Sequence, residues 1–324
     1  VFLYGGLSFL FTLGFLKLFI DRLSKKAFFR RAEHVESNKK SCIQELHKHK
    51  AATPTMGGIA MNLSLILLTL LYYLVTGTFL WVHLLLILYG VMGFIDDYIK
   101  IKKLRDGVTR KEKLIGLTLI SVVVVSLLLA EFPQQGQILF PFVHHALAVN
   151  GYLYGALMVF LIVMSSNSVN ITDGLDGLAL GVCSIVYGFI AVFAYRMNAD
   201  DVLFGAVVML GACLATLWFN KYPAKIFMGD TGSLMLGGSI AVFLIRLEMP
   251  VWIVLMLIVS IFEAVSVIIQ LSSLRFFHKR VFKIAPFHHH LEKCGWRETV
   301  ITSSFCMVTL GACILAYLGF GVVQ

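Results

Sequence analysis

Asp96 and Asp97 stand side by side in the stretch FIDDYIK, and Lys100 follows Asp96 at i+4. On a helix, neighbouring side chains diverge by about 100°, so the two carboxylates need not serve one site. An Asp followed by Lys at i+4 is in the favourable order for a helical ion pair. Two readings are open: a helix-end salt bridge, or a carboxylate offered to a proton or a metal with the lysine left for a phosphate. Asp173 and Asp176 keep similar company in NSVNITDGLDG, residues 167 to 177. There Asn167, Asn170, Asp173 and Asp176 recur every three residues, a spacing that predicts a polar stripe drifting around one helix face. Gly174 and Gly177 allow the backbone to turn or to approach a ligand closely. Asp230 opens DTGSL at the end of FNKYPAKIFMGDTGSL, residues 219 to 234. An acid with Thr, Gly and Ser neighbours at a helix N-terminus suits a magnesium-phosphate site or an ordinary N-cap. Phe227 lies just upstream, where its ring could stack on a base.

Two basic segments complete the set. HKHKAATPTMGG, residues 47 to 58, places Lys50 and Thr55 beside a tight Pro54 and Gly57-Gly58 bend. PFHHHLEKCGW, residues 286 to 296, carries His288, His289 and His290. Adjacent histidines rarely converge on one ion, so anion binding or proton handling fits them better than a metal cluster. Upstream, LRFFHKRVFK alternates basic and aromatic residues, as expected of a helix lying at a membrane surface. Glu263 is the one carboxylate deep inside an apolar segment; it either hydrogen-bonds within the bundle or orients a histidine of the last loop. No P-loop, dinucleotide fingerprint, G-x-S-x-G or H-E-x-x-H occurs, so ATPase, Rossmann, serine-hydrolase and zincin readings have no support.

The elements that must position these residues are membrane spans. Of 324 residues, 59% are hydrophobic and 14% charged, more apolar surface than a soluble domain can hide. Windows near the 20 residues that cross a bilayer core recur at 1–20, 56–76, 78–95, 114–131, 151–169, 178–195, 202–219, 232–247, 250–271 and 299–322. This predicts an all-α polytopic membrane protein of about ten transmembrane helices, one unit over 1–324. Arg196 and Arg246 aside, the 27 Lys and Arg cluster at 17–50, 100–113, 221–225 and 275–297, and the loop from Glu131 to Tyr152 has none. The positive-inside rule then makes the basic loops cytoplasmic and places both termini outside. Segment 1–20, without a basic n-region, reads as a span with an external N-terminus. Basic loops beside spans attract anionic headgroups, so the net charge of +9 does not call for nucleic acid. The six cysteines form no CxxC and suggest packing. Asp96, Asp97, Asp173, Asp176 and Asp230 all fall at the cytoplasmic ends of these spans. A mid-bilayer carboxylate costs about 2.5–3.5 kcal/mol on insertion scales, and the cost falls near the interface. Carboxylates for Mg²⁺, lysines for phosphate and lateral access for a lipid make a kit for moving a phospho-sugar from a soluble nucleotide to a lipid phosphate.

TPTMGG, DDYIK, NSVNITDGLDGLA, FMGDTGSL and PFHHHLEKCGW, in this order between Lys50 and Trp296, resemble the signature segments of the phospho-N-acetylmuramoyl-pentapeptide transferase (MraY) family. That family belongs to the polyprenyl-phosphate N-acetylhexosamine-1-phosphate transferases. The resemblance implies an enzyme of the bacterial cell membrane, with its active site facing the cytoplasm. UDP-MurNAc-pentapeptide and undecaprenyl phosphate would give lipid I and UMP with Mg²⁺, the first membrane step of peptidoglycan synthesis. It implies that Asp230 binds the magnesium and that Asp96, with Asp97 beside it, is a base for the lipid phosphate or, in another scheme, assists a nucleophilic aspartate. One-step attack predicts inversion at phosphorus, a covalent intermediate retention. Lys50, Gly174, Leu175, Asp176 and Phe227 match the uridine pocket, and Thr55, Asn170, Asp173 and Asn220 the adjoining polar cleft. Lys100, Lys113, His288, His289 and His290 would meet phosphates or the sugar-peptide, His288 as part of the catalytic set. Members of the family are typically homodimers. The sequence departs from the family at Ala52, where Gly is usual, and lacks a Gly-Pro upstream of His47.

Two rivals make different demands. A sister transferase using UDP-GlcNAc would not be expected to carry the PFHHHLE loop. A cation-coupled transporter calls for carboxylates near mid-span and paired repeats, whereas most acids here sit at span ends.

Overall fold

A computed structural model describes residues 1–23, 53–102, 107–131 and 137–323. The chain runs α1 (Phe2–Leu23), α2 (Gly58–Thr76), α3 (Trp81–Ile101), α4 (Arg110–Glu131), β1 (Gln137–Phe140), β2 (Val143–Ala148), α5 (Gly151–Thr172), α6 (Leu178–Arg196) and α7 (Asp200–Asn220). It continues through α8 (Gly229–Arg246), α9 (Pro250–Met256), α10 (Ile258–Phe277), α11 (Phe287–Lys293) and α12 (Glu298–Val323). Among the described residues, nine helices are long and apolar enough to cross a membrane: α1 to α7, α10 and α12. Leu3, Leu74, Phe276 and Met307 point outward from four of them, the apolar exterior that lipid requires of a spanning bundle. The chain is an all-α polytopic membrane protein.

The eighth expected span, 232–247, is α8, and it differs in kind. It opens with Gly-Asp-Thr-Gly-Ser and carries Gly237, Gly238 and Ser239 at its middle, so it is less apolar than the others. Its companions are helices: every residue from Thr231 to Ile245 is buried, chiefly against α3 and α5. Small residues make this possible by letting backbones touch. A methyl group added at Gly58 of α2 would strike the backbone of Thr231 and Gly232, one at Gly93 of α3 the carbonyl of Asp230, and one at Gly237 the backbone of Ser165 and Ser166. Hydroxyls fill the remaining polar needs: Ser165 Oγ donates to the Gly237 carbonyl at 2.6 Å and Ser166 Oγ to that of Leu234 at 2.9 Å. Tyr187 OH donates to the Leu236 carbonyl at 2.9 Å. With little lipid contact available, such packing and hydrogen bonds hold the helix.

Three expectations are corrected, and one element is found that was not expected. The span expected at 250–271 is interrupted at Leu257, so α9 and α10 are separate helices. The basic-free loop contains an antiparallel hairpin, β1–β2, pairing Gln137 with Ala148 and Ile138 with Leu147. The sequence LRFFHKRVFK does not form one surface helix. Its first residues end α10, His278 takes a left-handed conformation at φ 54°, and Gln270 Oε1 accepts the N–H groups of Val281 and Phe282 at 3.2 and 2.9 Å, which folds the segment back. Finally, α5 stops at Thr172, so Asn167, Asn170, Asp173 and Asp176 do not share a helix face. Asn167 turns to its own helix, donating to the Val163 carbonyl at 2.9 Å.

Candidate functional site

At one end of the bundle the last turn of α3 meets the first turns of α4 and α8 and the last turn of α5. α3 runs past the expected boundary at 95 to Ile101, so Asp96, Asp97 and Lys100 are all helical. The i, i+4 spacing sets Lys100 Nζ 2.5 Å from Asp96 Oδ2, and the same ammonium reaches Asp230 Oδ2 at 3.1 Å. Lys113, from the first turn of α4, bridges the same two acids at 3.3 Å to Asp96 and 2.6 Å to Asp230. Asp96 Oδ1 accepts the Val108 N–H at 2.5 Å. Asn170 Nδ2 donates to Asp230 Oδ1 at 2.9 Å and to Ser233 Oγ at 2.8 Å, tying α5 to the opening of α8.

Asp97 points elsewhere. Its Oδ1 accepts the Asp230 N–H at 3.2 Å, and its Oδ2 accepts the Thr231 N–H at 2.9 Å and the Thr231 hydroxyl at 2.7 Å. The first N–H groups of a helix have no partner within it, and α8 has no side-chain cap of its own at Met228. Asp97 therefore caps α8 from a neighbouring helix, where a negative charge also suits the helix dipole. Gly93 lies one turn earlier on the same face and grips the same turn of α8 by its lack of a side chain.

Asp96, Asp97 and Asp230 each offer a carboxylate oxygen, all within 4.8 Å of one another. An all-carboxylate donor set suits a hard divalent cation such as magnesium. Three carboxylates also outnumber the two lysines, which leaves the cluster attractive to positive charge. The residues present thus fit the metal that the resemblance implies.

Beside the cluster lies a cavity of about 260 Å³ lined by Thr55, Asp97, Lys100, Asp173, Gly174, Leu175, Phe227 and Asp230, among others. Its walls are tied together by backbone. Gly57 N–H donates to the Phe227 carbonyl at 2.9 Å, and Phe227 N–H to the Pro54 carbonyl at 2.8 Å, which sets Thr55 beside Phe227. The 173–177 turn is braced from behind: Asn220 Oδ1 accepts the Gly177 N–H at 2.9 Å while its Nδ2 donates to the Ile226 carbonyl at 2.8 Å. Gly177 sits at φ 75°, a conformation glycine adopts without strain. Asp176 Oδ2 accepts the Ala224 N–H at 2.9 Å. Asn220 and Asp176 are thus wall ties behind the cavity rather than parts of its lining.

The three histidines diverge. His288 is buried against Glu263 of α10: its backbone N–H donates to Glu263 Oε1 at 3.0 Å, and its Nδ1 lies 3.1 Å from Oε2. His289 Nδ1 pairs with Glu292 Oε2 at 2.6 Å. His290 Nδ1 accepts the Lys283 N–H at 3.1 Å, and its ring stacks on Phe287. Lys50 lies outside the described residues. Three participants were not among the expected site residues: Thr231, capped by Asp97; Asn62, whose Nδ2 donates to the Thr231 carbonyl at 3.2 Å; and Glu298, whose Oε1 accepts the Asp176 N–H at 2.5 Å. Glu298 had one usable signal, an acid immediately before the span expected at 299–322; the observed helix begins with it.

The chain is similar to known proteins over most of its length. The family model described as glycosyl transferase family 4 matches residues 78–248. The chain is 39% identical over 315 residues to the phospho-N-acetylmuramoyl-pentapeptide-transferase of Geobacillus kaustophilus, covering 94% of this chain and 93% of that one. It is 39% identical over 317 residues to the protein of that name from a Thermoanaerobacter species, covering 96% and 95%. For its counterpart in Clostridium botulinum the identity is 37% over 317 residues, covering 97% and 94%. The matched region of the family model contains α3, α5 and α8, the helices that supply all three clustered aspartates and Asn170, and likeness of this extent places the chain in the phospho-N-acetylmuramoyl-pentapeptide-transferase family.

Proposed function

We propose that this chain transfers phospho-MurNAc-pentapeptide from UDP-MurNAc-pentapeptide to undecaprenyl phosphate, releasing UMP and forming lipid I. An oxygen of the lipid phosphate forms a bond to the sugar-side phosphorus of the donor, and the pyrophosphate bond to UMP breaks. The observation that carries this reading is the cluster of Asp96, Asp230, Lys100 and Lys113 opening onto a cavity walled by Gly174, Leu175 and Phe227. Phosphoryl transfer asks mainly for positioning and charge neutralisation, and this cluster offers both.

Lys100 and Lys113 are flexible cations shared between two carboxylates, so either can turn from an acid to an arriving phosphate. Asp96, once a lysine turns away, accepts the proton of the lipid phosphate. Asp230, steadied by Asn170, is the residue to hold Mg²⁺, with Asp96 and Asp97 within reach of the same ion. Bound there, Mg²⁺ would neutralise pyrophosphate charge. Phe227 offers its ring to the uracil, and Gly174 and Leu175 allow the nucleoside to lie against backbone. Thr55 and Asp173 line the polar part of the same cavity, and Lys50 adds its charge to the uridine-binding set. Asp97 keeps to the first turn of α8 and holds Asp230 in place. The protein works in the bacterial cell membrane as one transmembrane unit and a homodimer, with this end of the bundle in the cytoplasm. The clustering of basic residues on that side of the alternating spans supports the orientation.

The test is UMP release by the purified protein in detergent with undecaprenyl phosphate and Mg²⁺, comparing UDP-MurNAc-pentapeptide with UDP-GlcNAc. Release from the muramyl donor alone, abolished by Asp230→Ala and by a chelator, is the expected result. Release from UDP-GlcNAc would move the chain to a sister activity, and release from neither donor would overturn the reading.

A further inference from the structure

Glu263 has no part in the chemistry described so far, yet it is a fully buried carboxylate in the second turn of a spanning helix. It spends both oxygens on one residue. Oε1 takes the backbone N–H of His288, and Oε2 lies against Nδ1 of the same residue. His288 stands in the first turn of α11, where a backbone N–H has no partner within the helix, so Glu263 caps α11 and fixes the ring together. A carboxylate against Nδ1 draws the ring proton to that nitrogen, and the proton's position on one nitrogen decides what the other can do. The other nitrogen, Nε2, is buried with no hydrogen-bond partner. It packs against Gly174, where a Cβ would overlap it, and the same glycine lines the cavity. The wall between Nε2 and the cavity is thus one residue thick and has no side chain.

We propose that Glu263 is a positioning residue that presents His288 Nε2 as a hydrogen-bond acceptor for an N–H or O–H donor of the bound nucleoside, reached when the Gly174 turn shifts. This rests on the reading of the cavity as a nucleotide site. It gives His288 a neutral, acceptor role at the nucleoside in place of a cationic contact to phosphate. It also accounts for a carboxylate at 263: each His288 donor has its own oxygen, whereas a glutamine offers a single acceptor oxygen and sets an NH2 group against one of the two donors.

The test uses the full chain in detergent with ¹⁵N-labelled histidine, at a pH well above the ordinary imidazole range. The His288 signals are identified by their loss in His288→Gln. The expected spectrum has Nδ1 protonated and Nε2 bare, with the Nε2 resonance moving when UMP is added. A proton on Nε2, or an Nε2 signal indifferent to saturating UMP, overturns the proposal, and neither result depends on transferase activity. Kinetics supply the second arm. Glu263→Gln should raise KM for the nucleotide donor about tenfold with a smaller change in kcat, and should add nothing further in a His288→Gln background. Equal losses in both backgrounds would make Glu263 a mere tether of α11 and sink the idea. UMP release by the unmodified protein reports separately on the proposed reaction.

Discussion

Asp96 and Asp97 are neighbours in sequence, identical in chemistry and both buried, yet the two faces of α3 employ them in opposite ways. Asp96 faces mobile charge: two lysine ammoniums that also hold Asp230. Asp97 faces fixed backbone, the capped first turn of α8. Partners on flexible stems can be exchanged for an arriving phosphate, whereas amides in a helix cannot. The 100° step between adjacent helical positions lets one dipeptide supply both a reactive group and the brace that aligns its counterpart.

Four tests, using five substitutions, break or sharpen this contrast. Asp230→Ala removes the acid on which both faces converge; UMP release should fall by at least about 10²–10³-fold, with the unfolding temperature little changed. Retained turnover would mean that the cluster is not the reacting site. Gly93→Ala attacks the brace alone, because its methyl would press on the Asp230 carbonyl. Overpacking of this kind costs about 1–3 kcal/mol, and a displacement near 1 Å can lower turnover about 100-fold. A melting curve and a turnover assay should both register it. The third test sets Asp97→Asn against Asp96→Asn. The amide at 97 brings N–H donors against the donors of α8, leaving one unsatisfied at about 1–3 kcal/mol; at 96 the lysines still have Asp230. Thermal unfolding should drop for the first variant and hold for the second, while UMP release falls in both. Equal thermal losses would erase the distinction. The smallest effect belongs to the opposite end of the same helix. Trp81 Nε1 donates to Glu131 Oε2 at 2.6 Å in an exposed setting, so Trp81→Phe should cost about 0.5–1.5 kcal/mol and leave UMP release unaltered.

What was legible in the sequence follows from range. Asp96 and Lys100 could be paired on paper because one helix fixes their spacing, and the spans could be drawn because hydropathy is a local property. Glu263 stood out because a carboxylate inside an apolar helix needs a partner, and that partner proved to be His288. The cap of α8 by Asp97 was not legible: it requires knowing which helix end arrives beside α3. Nothing local in KLRDGVTRKEKLIGL singles out Lys113, which joins the site only when α4 packs on α3. The three-residue stripe from Asn167 to Asp176 misled because a period assumes the helix continues, and α5 stops at Thr172. The β1–β2 hairpin was missed because that loop was read for charge and not for strand pairing.

The complete enclosure of α8 bears on how the protein is made. A segment that opens with Gly-Asp-Thr-Gly-Ser and ends at Arg246 would be a poor guest for bare hydrocarbon during its insertion. The helices that grip its site end, α2, α3 and α5, all precede it in the chain. The ribosome therefore delivers the slot before the helix that fills it, and Asp230 enters the membrane with its cap, its lysines and its asparagine already waiting.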